Sequence, residues 1–94
     1  MNVKPTKKFN KIINNLGKNY SKKIIDMELC GYRKLNNNYD IEISGINTNS
    51  SKNDFTVYLW KLKPNPTISN SYPEIKSVDQ LIQILNQIED EYLD

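Results

Sequence analysis

The 94-residue chain has no histidine, no alanine, one cysteine (Cys30) and one tryptophan (Trp60). A single cysteine cannot form an intrachain disulfide. Zinc and calcium sites need clusters of Cys, His or carboxylate, so no metal site is nominated and no cofactor is expected. Without a histidine base Cys30 is a poor nucleophile, and it reads as a small strand residue. The three glycines, Gly17, Gly31 and Gly45, are isolated, which excludes a phosphate-cradling loop. Carboxylate pairs occur at Asp26/Glu28 and Asp40/Glu42, but acid–base chemistry on two carboxylates needs a cleft. A small sheet offers little cleft, and solvated strand positions explain these acids better. No catalytic residue is assigned, and the chain is read as a protein without enzymatic activity or a small-molecule substrate. Long apolar runs are also missing: none approaches the ~20 residues of a membrane span. The basic N-terminus lacks the apolar centre of a signal peptide. These features lead to the expectation of a cytoplasmic protein of a bacterial host, with no membrane contact.

Arginine is scarce as well: twelve lysines stand against Arg33 alone. Asn, Lys, Ile and Tyr supply nearly half of the chain, a bias that follows AT-rich codons as in low-GC bacteria and their phages. Net charge is only +2, but it is segregated. Residues 1–34 carry nine bases and two acids, residues 35–76 are balanced, and residues 77–94 carry five acids and no base. Such asymmetry implies internal pairing of the two ends or one face for a charged partner.

What is present is periodic. The length fits a single domain over 1–94, with residues 1–5 as a flexible N-terminus. Phe9, Ile12, Ile13, Leu16 and Tyr20 form one apolar stripe, which predicts a helix over 6–20 capped by Thr6. Residues 24–34 alternate, with Ile25, Met27 and Leu29 on one side and Asp26, Glu28, Cys30 and Tyr32 on the other. After the turn "LNNN", residues 39–46 alternate again, and a hairpin centred on Asn37 sets Lys34 opposite Asp40. The stretch "FTVYLWKLK" gives a third strand, with Phe55, Val57 and Leu59 on one face and Tyr58, Trp60 and Leu62 on the other. Residues 64–76 hold three prolines and no clear period, and read as a connection. "SVDQ" marks the N-terminus of a final helix, with Ser77 as cap and Gln80 answering. Val78, Leu81, Ile82, Leu85, Ile88 and Tyr92 form its apolar stripe.

The expected fold is therefore α+β. It has a three-stranded antiparallel sheet with N- and C-terminal helices on one face, in the order α-β-β-β-α. The expected core is Phe9, Ile12, Ile13, Leu16, Ile25, Met27, Leu29, Ile41, Ile43, Phe55, Val57, Leu59, Leu81, Ile82, Leu85 and Ile88.

If both helices cover one face, the other carries Tyr32, Tyr58 and Trp60 among Glu28, Asp40 and Glu42. Aromatics on an open sheet can stack bases, but so many carboxylates would repel phosphate. Aromatic anchors with acidic neighbours suit a basic protein surface. The competing expectations are that residues 64–76 fold back over Trp60, or that the face pairs two copies in a homodimer. A different class of function rests on Lys8, Lys11, Lys18 and Lys22, which could track the phosphates of a nucleic acid. The element order is also that of double-stranded-RNA-binding domains, yet the final helix here is acidic where theirs begins with basic residues.

One segment resembles a known family. "YDIEISGINTNS", residues 39–50, resembles the strand-loop stretch of small phage-encoded anti-CRISPR proteins, which inhibit Cas nucleases. Tyr39, Ile41, Ile43, Ser44, Gly45, Asn49 and Ser50 carry the likeness over about twelve residues. The resemblance implies a loop reaching into a nuclease, which maps here onto Asn47, Thr48 and Asn49, and acidic side chains facing the nuclease's DNA-reading arginines. The chain departs from the family pattern in its extra preceding strand and its basic N-terminal third. The expected partner is a host protein, a Cas nuclease or another nucleic-acid-handling complex, bound stoichiometrically.

Overall fold

A computed structural model describes residues 3–93. The order is α1 (Lys7–Leu16), β1 (Ser21–Ile25), β2 (Glu28–Lys34), β3 (Tyr39–Ser44), β4 (Phe55–Lys61), β5 (Thr67–Ile75) and α2 (Val78–Tyr92). The class is α+β, as expected. The sheet, however, has five antiparallel strands in the order β1-β2-β3-β4-β5, not three.

Both extra strands have local causes. Asp26 and Met27 take positive φ values of 51° and 66°, so the segment expected as one strand folds into a two-residue hairpin that pairs Ile25 with Glu28. Ile25 and Met27 are thereby removed from the core: Ile25 is only half-buried and Met27 is exposed. Residues 64–76 do not fold back over Trp60. From Thr67 onward they form β5 alongside β4, with Pro73 in an edge strand where its missing N–H costs no ladder bond. Two register shifts in β4–β5 break the period of two that the sequence would otherwise display.

Helix α1 starts where Thr6 Oγ1 accepts the Phe9 N–H at 3.1 Å. It ends at Leu16, not at residue 20, because Gly17 adopts φ +94°. Tyr20, beyond the helix, is nevertheless buried. Ser77 Oγ accepts the Gln80 N–H at 3.0 Å, and Gln80 Oε1 accepts the Lys76 N–H at 3.0 Å, a near relative of the expected capping box. Residues 3–5 are tethered: Val3 packs against the core, and Asn47 Nδ2 donates to the Lys4 carbonyl. The remainder of the expected flexible N-terminus, residues 1 and 2, lies outside the described residues.

One core unites both helices with one face of the sheet. Phe9 and Ile12 from α1 and Leu81, Leu85 and Ile88 from α2 meet Leu29, Ile41, Ile43, Phe55, Val57 and Leu59. Leu35, Ile46 and Ile75 join this cluster in addition to the expected set, whereas Ile13 and Leu16 are partly buried at its edge and Ile82 is half-buried. Each such side chain, when fully buried, contributes ~1.5–3 kcal/mol. The basic N-terminal third does meet the acidic C-terminal one: Arg33 Nη1 and the Tyr20 hydroxyl both donate to Glu89 Oε2 at 2.7 Å. Among the described residues no helix is long and apolar enough to cross a membrane.

Candidate functional groove

With the helices on one face, period-two geometry commits the alternate residues of β2, β3 and β4 to the other. Tyr32 lies opposite Glu42, Asp40 lies opposite both Lys34 and Trp60, and Tyr58 lies opposite Glu42. The predicted Lys34–Asp40 register is therefore present. The added hairpin raises β1 beside this face, and the turn after β4 raises Leu62 and Pro66 on the other side. Between them runs a groove of about 350 Å³. Asp40 and Glu42 line it together with Tyr32 and Trp60, and β1 supplies Lys23, Ile24 and Ile25.

The two carboxylates are unusually enclosed for acids, each 7% exposed. Diagonal contacts satisfy them. The Tyr32 hydroxyl donates to Asp40 Oδ2 at 2.9 Å, and Trp60 Nε1 donates to Glu42 Oε1 at 2.9 Å. Cys30 Sγ lies 3.6 Å from Glu42 Oε2, an S–H donor to the same carboxylate. All three donors are neutral. The ion pairs among the described residues are Arg33–Glu89 and Lys76–Asp54, so neither groove carboxylate belongs to one, and Lys34 leaves Asp40 to the tyrosine. Lys23 sets its ammonium 4.4 Å from the centre of the Tyr32 ring.

These surroundings act on the acidic protons nearby. Burial, then the Asp40 hydrogen bond, pushes the Tyr32 hydroxyl up to about 12. Burial, then the charges of Glu28 and Glu42, pushes the Cys30 thiol up to about 12, which makes it inert at neutral pH.

The structure divides the residues singled out from sequence. Tyr32, Asp40, Glu42 and Trp60 come together in the groove, and Trp60 is half-buried on the helix-free face. Tyr58 shares that face but does not line the groove. Glu28 is engaged elsewhere: its carboxylate accepts from Ser44 Oγ at 2.9 and 3.0 Å and from the Gly45 N–H at 2.8 Å. Asn47, Thr48 and Asn49 lie in the β3–β4 loop, at the opposite end of β3 from Asp40. Asn47 Oδ1 accepts the Thr6 N–H at 2.8 Å, which ties the loop to the start of α1, and Thr48 Oγ1 accepts the Ser50 N–H at 3.0 Å, which shapes the loop locally.

The lysines do not form one helical stripe. Lys18 and Lys22 follow the end of α1, with Lys22 in β1. Lys8 donates to the Ser50 and Lys52 carbonyls at 2.9 and 3.0 Å, and Lys11 remains exposed on α1. Sequence reasoning missed Lys23, Ile24, Ile25 and Pro66 as groove walls. The available signal was the adjacent pair Ile24–Ile25, which places apolar groups on both faces of any strand containing it. Comparison with protein-family models, with curated proteins and with solved structures returns no match.

Proposed function

We propose that this chain is a small binding protein that acts through the helix-free face of its sheet on a basic surface of a protein partner. In the finer reading the partner is a host defence nuclease of the Cas type, held in a stoichiometric, anti-CRISPR-like inhibitory complex. The proposal assigns the chain no catalysis. The observation that carries it is the pairing of two nearly buried carboxylates, in no ion pair among the described residues, with the half-exposed aromatics Trp60 and Tyr32. A partner's arginine or lysine would supply the missing charge, and the indole would supply the apolar contact typical of interface hot spots. The nucleic-acid reading is less well supported, because Lys8 is held by loop carbonyls and the remaining lysines are spread over separate elements.

The test is DNA cleavage by purified Cas nucleases with the chain added at increasing molar ratio. Inhibition saturating near one to one is expected, with Trp60→Ala weakened by ~30-fold or more while remaining folded by circular dichroism. Equal inhibition by folded Trp60→Ala removes this face from the mechanism. Light scattering addresses self-association: a dimeric parent and a monomeric Trp60→Ala would make the face an interface between copies.

A further inference from the structure

The same groove has a second use that requires no protein partner. Asp40 and Glu42 are two residues apart on one face of β3, a separation of ~7 Å along a strand. Each is more than nine-tenths buried and neither is in an ion pair among the described residues. Asp40 accepts the Tyr32 hydroxyl on Oδ2, while among the described residues Oδ1 accepts no hydrogen bond, and it is not sealed from solvent. Glu42 is bonded by an indole N–H and a thiol, which orient it without cancelling its charge.

The walls beside these carboxylates are aromatic and aliphatic: Trp60, Tyr32, Leu62 and Pro66. The chain also displays the chemistry that such walls favour. Lys23 carries an alkylammonium, and it rests on the Tyr32 ring at 4.4 Å. One ammonium thus stands at the groove against two carboxylates.

We propose that the groove binds a linear aliphatic diamine, one ammonium beside Asp40, the other beside Glu42, and the methylene chain against Trp60. A volume of about 350 Å³ is at the small end of ligand sites, suited to an open-chain molecule. A protein lysine is the other source of an alkylammonium, but it brings one charge where two carboxylates wait, so the diamine is the better match. Such a ligand would displace Lys23 from the Tyr32 ring or share the groove with it.

Trp60 is the only tryptophan, so its indole N–H gives a single nuclear magnetic resonance signal inside the groove. The experiment titrates the isotope-labelled full chain with a four-carbon diamine. Butylamine at matched ionic strength forms the one-charge arm, and acetyl-lysine amide forms the side-chain arm. A saturable shift of the indole signal is expected, with the diamine at least about tenfold tighter than either monoamine. Asp40→Asn and Glu42→Gln, which keep hydrogen-bond acceptors and whose fold the amide spectrum verifies, should each lose that advantage. Lys23→Ala, on an exposed edge strand, should tighten the diamine by about threefold through removal of a competing cation. Equal affinity for diamine and monoamine overturns the proposal, as does parent-like affinity in either acid variant, or unchanged or weaker binding in Lys23→Ala. No partner is present in this titration, so its failure is separable from a failure of the nuclease assay.

Discussion

Trp60 donates its indole N–H to Glu42 Oε1 at 2.9 Å, although the residue directly opposite it on β3 is Asp40. The diagonal bond tilts the ring along the face of the sheet and leaves Asp40 to Tyr32. Glu42 therefore serves two neutral donors, Trp60 and Cys30, from a position 7% exposed. Removal of the carboxylate should cost more than removal of its charge. Glu42→Ala is expected to lower unfolding stability by ~1–3 kcal/mol, because it strands buried donors. Glu42→Gln keeps an acceptor and should cost less than about 1 kcal/mol. Urea unfolding followed by Trp60 fluorescence measures both, and a larger loss in the glutamine variant would refute this account of Glu42.

Across the core face, Glu89 of α2 receives Tyr20 and Arg33 on one oxygen, with the Arg33 guanidinium also 5.6 Å from the Tyr20 ring centre. The side chains of Arg33 and Glu89 are 14% and 23% exposed, so the pair is shielded more than a surface ion pair. Glu89→Ala should destabilise by ~1–3 kcal/mol, since it leaves a buried hydroxyl and a guanidinium with no acceptor. A double-mutant cycle with Tyr20→Phe is expected to show coupling of ~0.5 kcal/mol or more. Strict additivity of the two substitutions would mean that the shared oxygen contributes nothing.

Elements whose signals are local were legible in the sequence. Thr6 and Ser77 announce both helix starts, and the Lys34–Asp40 register follows from parity about Asn37. Trp60, Tyr32, Asp40 and Glu42 share a face for the same reason, so the floor and one wall of the groove could be foreseen. The β1–β2 turn could not, because Asp26–Met27 lacks the glycine or asparagine that usually marks a two-residue hairpin. An uninterrupted alternation through Ile25, Met27 and Leu29 disguised it as one strand. Strand β5 was hidden by Pro73, by the prolines just before it, by its polarity and by its two register shifts. The groove wall formed by Lys23, Ile24 and Ile25 depends on the hidden first hairpin, which is why it emerged only with the structure.

Gly45 and Gly17 both have strongly positive φ, +89° and +94°, but only Gly45 is also crowded. A Cβ at Gly45 would lie 2.5 Å from the Asp54 carbonyl oxygen, whereas one at Gly17 would meet nothing within 4 Å. Gly17→Ala should cost ~1–2 kcal/mol for backbone conformation alone. Gly45→Ala adds a clash with backbone that cannot swing aside, and should cost more, about 3 kcal/mol. It would also disturb the Gly45 N–H that holds Glu28. Thermal or urea unfolding should rank Gly45→Ala as the less stable variant; the reverse order would contradict the loop geometry.

The protein should lose stability in mild alkali, and Cys30 should account for the first part of that loss. The thiol is fully buried, and burial followed by the charges of Glu28 and Glu42 raises it from 9.0 to about 12. Glu28 on β2, Glu42 on β3 and the turn residue Asp26 face it with negative charge, against Lys23 opposite on β1. In the unfolded chain the thiol ionises near 9, while in the folded chain it keeps its proton. The unfolded state then binds fewer protons, so stability is complete below about pH 9 and declines as pH rises toward about 12, by up to ~1.4 kcal/mol per unit. Tyr32, raised from 10.0 to about 12, adds the same sign of effect from about pH 10 upward. Cys30→Ala should begin less stable by the packing it loses, yet show a flatter decline between about pH 8 and about pH 10. Urea unfolding at those two pH values, parent against variant, measures the difference in slope. Parallel declines would show that the thiol is not the group responsible.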